Sequence, residues 1–189
     1  LLKPEYKGMI RVANPNTSGT AYNVITTLRY IYKGDEQKVY DYLKKLDANI
    51  DQYTRSGSAP GKSVAIGESP TAIGYAHDQV KLKAGGAPVV ITAPKEGTGY
   101  ELASMSLVAG GKDAVNAKKL YDWVLSSPTA QAEFVNYYLV LVTPGAAKHP
   151  DALSLKEIKT VTQDFLWDGN ADNRNRLLKR WTDEIGSKR

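Results

Sequence analysis

Cysteine is absent from the 189 residues, which removes disulfides, thiolate metal ligands and cysteine nucleophiles together and fits an oxidising compartment. No apolar run approaches the roughly 20 residues needed to span a bilayer. The first residues, Leu1-Leu-Lys-Pro4, include neither an initiator methionine nor a signal sequence, so the start reads as cut. Basic residues are numerous, 25 against 20 acidic ones for a net charge of +5 and a pI near 9.2. They are dispersed, however, and neither a Lys/Arg run nor a basic-aromatic stripe points to nucleic acid. The balance favours small anionic ligands. A hydrolase using Asp78 as nucleophile and His77 as acid would need a second acidic cluster for metals or a Gly-x-Ser-x-Gly elbow, and the chain has neither. The expectation is a non-enzyme with no catalytic residues, metal ligands or cofactor.

What is present is a globular composition, 42% hydrophobic, in a length that suits one large domain or two small ones. Residues 9–13 form a short apolar strand. Residues 20–33 place Ala21, Val24, Ile25, Leu28, Ile31 and Tyr32 on one helical face, which Gly34 ends. Asp35 caps a second helix carrying Val39, Tyr42, Leu43 and Leu46. An extended piece at 49–53, a polar turn at 54–58 and a short helix at 59–67 follow. The spacing then predicts a strand at 71–76, a helix at 77–84 and a strand at 88–92. This alternation implies a parallel or mixed sheet with helices on its faces, which binds ligands beyond the carboxyl ends of its strands.

Past residue 93 the character changes. Residues 94–101 form a glycine-punctuated crossing, and 103–108 read as an apolar strand. A helix at 113–126 turns Ala117, Leu120, Tyr121 and Val124 inward, and Pro128 opens another to about Leu139. Residues 143–150 read as a loop. The last helix, 171–185, buries Leu177, Leu178, Trp181 and Ile185, and its Arg174, Arg176, Lys179 and Arg180 read as a solvated face.

Three polar clusters fall at strand-to-helix junctions. The first, Asn14-Pro-Asn-Thr-Ser-Gly-Thr20, joins a strand to a helix whose first amides have no intrahelical partner and whose dipole is positive there. Ser18 and Thr20 add hydroxyls, and Gly19 lets a ligand approach the backbone. A plain N-cap role for Ser18 is the competing reading. Ser56-Gly-Ser58 forms a second such seat, and His77-Asp78 a third cluster, for which helix capping by Asp78 and packing of His77 are the plain alternatives. All three should meet on one edge of the sheet.

The motifs Leu2-Lys-Pro-Glu-Tyr-Lys-Gly-Met-Ile10, Ala13-Asn-Pro-Asn-Thr-Ser-Gly-Thr-Ala21, Tyr53-Thr-Arg-Ser-Gly-Ser-Ala59, Ile66-Gly-Glu68, Ile73-Gly-Tyr-Ala-His-Asp78 and Glu96-Gly-Thr-Gly-Tyr-Glu101 resemble periplasmic substrate-binding proteins of ABC importers. The branch is the one containing ferric-iron, phosphonate and hexose-phosphate binders, and the resemblance is greatest to the hexose-phosphate group. Ala117-Lys-Lys-Leu-Tyr-Asp-Trp-Val-Leu-Ser-Ser-Pro-Thr-Ala-Gln131 extends it over nearly the whole chain.

The resemblance implies an α/β fold: a type II periplasmic binding-protein lobe with a mixed sheet flanked by helices, truncated at the amino terminus. Residues 1–93 and 150–189 would build the carboxyl-terminal ligand-binding lobe, and 94–149 the hinge crossing and the return to a mostly missing first lobe. Apolar surface at 103–108 and 113–139 would then lose its usual cover, which leads us to expect self-association, exchange between chains or a separate amino-terminal fragment. The implied ligand is a hexose 6-phosphate, taken up through a membrane permease from the periplasm. Its phosphate would rest on Ser18, Gly19, Thr20, Ser56, Gly57 and Ser58, and its hydroxyls on His77, Asp78 and Glu101. A phosphonate binder, a ferric-iron binder and a ligand sensor for a membrane kinase are the alternatives. Iron is disfavoured because the family's tyrosine pair is replaced here by Tyr75-Ala-His-Asp78.

Overall fold

The computed structural model describes residues 1–143, 145–154, 156 and 158–188; Pro144, in the expected loop at 143–150, lies outside the described residues. The regular elements run β1 (Ile10–Ala13), α1 (Gly19–Ile31), α2 (Glu36–Asp47), β2 (Ile50–Thr54), α3 (Ala59–Ala65), β3 (Thr71–Ala72), α4 (Ala76–Ala84), α5 (Ala114–Ser126), α6 (Pro128–Asn136), α7 (Phe165–Gly169) and α8 (Ala171–Glu184). No helix among the described residues is long and apolar enough to cross a membrane. The chain divides into two compact units, one of residues 1–100 with 153–189 and one of residues 101–152.

In the first unit β1 is the central strand of the order β2-β1-β3, and both pairings are parallel. The fold is α/β as expected, and the described strands give a parallel sheet with no antiparallel member. A central parallel strand is covered on both faces, which accounts for the burial of Ile10, Val12 and Ala13. Arg11 is the polar exception on this strand. Its guanidinium donates to Asp51 on β2 and to Glu68, both at 2.8 Å, and to the Ser63 hydroxyl at 2.9 Å.

Local signals set the helices. Asp35 caps α2 by accepting from the Lys38 amide at 3.1 Å, and Asn170 caps α8 by accepting from the Asp172 and Asn173 amides. Ile25 of α1, Val39, Tyr40 and Leu43 of α2, and Leu177 and Trp181 of α8 then close one core with β1. Full burial of such a side chain stabilises by roughly 1.5–3 kcal/mol. Tyr40 keeps its hydroxyl satisfied by donating to the Leu177 carbonyl at 2.6 Å, and burial pushes its pKa well up.

The basic face of α8 is not simply solvated. Arg176 forms a two-pronged pair with Glu36 that holds the carboxylate below its usual range. Arg180 stacks 4.2 Å over the Tyr40 ring and donates to Gln37, and Arg174 lies 4.7 Å over Tyr22. These long stems cover apolar surface while their charged ends fasten α8 to α1 and α2.

Two expected strands are absent from the described sheet, and a third is short. Residues 88–92 and 103–108 are irregular, and the strand expected over 71–76 pairs only at Thr71 and Ala72 before turning into α4. β-Branched sequence forms a strand only where a neighbouring edge takes its hydrogen bonds. The described pairings supply none to 88–92, and Val90 is 89% exposed. Residues 98–100 instead run beside 159–163: Thr98 donates to the Lys159 carbonyl, Val161 donates to Thr98, and the Tyr100 amide donates to Gln163.

In the second unit Asp113 caps α5, and α6 begins at Pro128 as the sequence predicts. The helix ends at Asn136, short of Leu139, and Tyr138 follows in the left-handed region at φ 63°. Among its described residues only Ala130 and Ala152 are buried apolar ones. Of the α5 residues expected to turn inward, Ala117 and Leu120 are exposed and Tyr121 and Val124 are half-buried, so within this unit that face is only partly covered.

Candidate functional site

Each of the three polar junctions leaves the carboxyl end of a strand in the first unit: β1 into α1, β2 into α3, and β3 into α4. Parallel pairing of the strands brings these ends to one edge. The Asn14 amide donates to the Thr54 carbonyl at 2.8 Å, and the Thr17 hydroxyl donates to the Arg55 carbonyl at 2.8 Å. The first two turns are therefore fastened to each other.

Closer still is Gly57. A methyl group added there would lie 2.3 Å from Thr20 Oγ1 and 2.8 Å from both Ser18 Oγ and Thr20 Cβ. Only glycine lets the second turn come this near the first. A methyl on Gly74 would likewise meet the Gly57 carbonyl at 3.5 Å, so the third turn abuts the second.

The donors at this edge are only lightly used. Ser18 is the N-cap of α1, but its oxygen accepts from the Ala21 amide at 3.5 Å, the long limit for such a bond, and its hydrogen is left to donate elsewhere. The first turn of α1 contains no acidic residue to offset the positive helix end. Ser58 precedes α3 without making a side-chain cap, and its hydroxyl lies 3.3 Å from that of Ser56. Capping and anion binding are thus compatible at Ser18, because the cap uses the oxygen's lone pair and leaves its proton.

At the third turn, α4 starts from Tyr75 without a side-chain cap. Asp78 sits in the first turn of that helix, 3.7 Å from His77 Nε2, and the His77 ring stacks on Tyr75 with centroids 5.7 Å apart. Both side chains are partly exposed rather than packed into the sheet. The arrangement offers amide and hydroxyl donors at two turns, and a carboxylate and an imidazole at the third. That combination suits an anion joined to a hydroxylated body. Glu101, the ninth predicted residue, is exposed and opens the second unit, apart from the unit that holds the other eight. The sequence alone did not single out Thr17 or Gly74, whose roles depend on contacts between turns far apart in the chain.

The model for the family described as bacterial extracellular solute-binding protein matches residues 1–168, and the chain belongs to that family. The family binds solutes, in keeping with a non-enzyme. An uncharacterised protein of Haemophilus influenzae is 33% identical over 187 residues, which are 98% of this chain and 54% of that protein. Among solved structures, the periplasmic binding protein AfuA from Actinobacillus pleuropneumoniae, with exogenous fructose-6-phosphate bound, is similar with a TM-score of 0.88 and 38% identity. That match covers 98% of this chain and 58% of AfuA. The periplasmic binding protein P5PA is similar with a TM-score of 0.79 and 30% identity, covering 97% of this chain and 58% of P5PA. The chain thus spans little more than half the length of these relatives.

Proposed function

We propose that this chain forms the phosphate-holding part of a periplasmic solute-binding protein, which takes a hexose 6-phosphate and delivers it to the membrane permease of an ABC importer. The observation that carries the reading is the approach of Gly57 to Ser18 and Thr20, which sets the donors of two turns side by side. The phosphate would accept from Ser18, Gly19, Thr20, Ser56, Gly57 and Ser58. His77 and Asp78 would bind hydroxyls. Each buried sugar hydroxyl requires an acceptor as well as a donor, and one left unpaired costs on the order of 1–3 kcal/mol. The fructose-6-phosphate bound to AfuA is in line with this class of ligand.

A micromolar complex needs about −8 kcal/mol, whereas a helix end contributes roughly 0.3–1 kcal/mol beyond its hydrogen bonds. The remainder has to come from the sugar contacts and from burial of the ligand by the rest of the protein. In this reading, residues 101–152 pass between lobes. Their exposed apolar face takes a polypeptide cover, from the rest of the protein or from a second copy, and light scattering with mass spectrometry separates these cases.

The deciding experiment is calorimetry of the full-length protein with glucose 6-phosphate, fructose 6-phosphate, inorganic phosphate and ferric ion. A sugar phosphate bound more tightly than inorganic phosphate is the expected result. Binding of iron without sugar phosphate would overturn the proposal.

A further inference from the structure

Gln79 plays no part in the site as described so far, yet the residues around it are shaped to receive its side chain. It lies in the first half of α4, and its carboxamide reaches towards α3 and the third turn. A methyl at Gly61 would fall 2.1 Å from Gln79 Oε1, 2.4 Å from Nε2 and 2.6 Å from Cδ. A methyl at Gly74 would fall 3.2 Å from Nε2. The carboxamide therefore fills a slot left by two glycines, one inside α3 and one in the turn ahead of α4.

The slot has two unfavourable features. Glycine inside a helix is a poor helix former, and Gly61 is buried within α3 with no positive φ that would require it. Nε2 is sealed from solvent and has no hydrogen-bond partner among the described residues, although buried polar groups are almost always paired. A site shaped only for stability would have an alanine in the helix and an apolar side chain in the slot.

We infer that Gln79 is a positioning residue, which sets the spacing between the Ser56–Ser58 turn and the His77–Asp78 turn and thereby matches the distance from a phosphate to the sugar hydroxyls. The geometry is direct. The Ser56–Ser58 turn leads into α3 two residues before Gly61. Gly74 abuts the Gly57 carbonyl, and His77 and Asp78 immediately precede Gln79 on α4. A side chain wedged between Gly61 and Gly74 fixes how far α4 stands from α3, and with it where His77 and Asp78 lie beside the Ser56–Ser58 turn. The inference rests on the hexose-phosphate reading above.

The test is calorimetry of the full-length protein with glucose 6-phosphate and with inorganic phosphate, on wild type, Gln79→Ala, Gln79→Met, Gly61→Ala and the Gly61→Ala/Gln79→Ala double variant. Inorganic phosphate needs no set distance to the third turn. Gln79→Ala should therefore weaken glucose 6-phosphate about tenfold, which is ~1.4 kcal/mol, and leave inorganic phosphate within about twofold. Gln79→Met, of similar length and without the orphaned amide, should keep wild-type affinity for both. Gly61→Ala should behave like Gln79→Ala because it expels the carboxamide, and the double variant should lose no more than either single one. Equal weakening of both ligands by Gln79→Ala, or a Met variant as impaired as the Ala variant, would overturn the inference and leave the hexose-phosphate reading intact. A wild-type protein that binds neither ligand would overturn both.

Discussion

Gly57→Ala tests the candidate site with a single methyl group. Gly57 does not have a positive φ, so alanine is tolerated by the backbone and only the space is contested. The new methyl would lie 2.3 Å from Thr20 Oγ1 and 2.8 Å from Thr20 Cβ. Carbon and oxygen atoms come to rest at about 3.5 Å. Rotating the Thr20 hydroxyl relieves the first contact but leaves the second, because Cβ is fixed by α1. The two turns must part by close to 1 Å, enough to take a bond of ordinary length beyond its useful range. An anion held by both turns then keeps one set of donors and loses part of the other. A hydrogen bond to a charged group contributes about 1.5–3 kcal/mol, so affinity for glucose 6-phosphate should fall about 10- to 150-fold. Calorimetry reads this directly, and a thermal melt alongside shows whether the fold is retained. Wild-type affinity in a folded Gly57→Ala protein would refute the claim that the two turns hold one anion.

The remaining predictions concern the hydroxyl end of the site and the scaffold. Asp78→Ala should spare inorganic phosphate and abolish the preference for sugar phosphate, as read by competition calorimetry. Leu177→Ala should cost about 2–5 kcal/mol in urea unfolding, because Leu177 is 1% exposed in the middle of the core. Arg176→Ala should cost about 1 kcal/mol in the same assay, since its fork on Glu36 is half exposed. Burial pushes the Asp168 carboxyl above its usual range, so the folded state binds its proton more tightly than the unfolded chain does. Its contribution to stability therefore falls as pH rises from about 4 through its raised pKa. Asp168→Asn should be the more stable protein at pH 7 in thermal melts, with the difference vanishing below about pH 4.

The elements legible in the sequence were those specified by their own residues. Ser18, Asp35 and Asp113 mark helix starts, Gly34 and Pro128 mark a stop and a start, and the apolar spacing of α1, α2 and α8 shows their buried faces. Strands at 88–92 and 103–108 were not legible in the same way, because a strand depends on an edge elsewhere in the fold. The basic face of α8 was misread for a related reason: what Arg176 and Arg180 do is decided by Glu36 and Tyr40, some 140 residues away. The same holds at the candidate site. The sequence placed the three turns at strand ends, but only the fold shows that Gly57, Gly61 and Gly74 are spaces rather than hinges, and that Gln79 fills two of them.

The engagement of Arg11 bears on how the proposed pocket would respond to its surroundings. Its guanidinium faces Asp51, Ser63 and Glu68, so the one cation of the central strand is already committed inside the scaffold. The candidate anion seat is left with amides, hydroxyls and the positive end of α1, with the exposed Arg55 in the second turn beside them. The positive end of a helix is screened by dissolved ions, though its reach is limited to the first turn. Affinity for a phosphate-bearing ligand should therefore fall as salt is raised, by the modest amount that a helix end and one exposed arginine contribute.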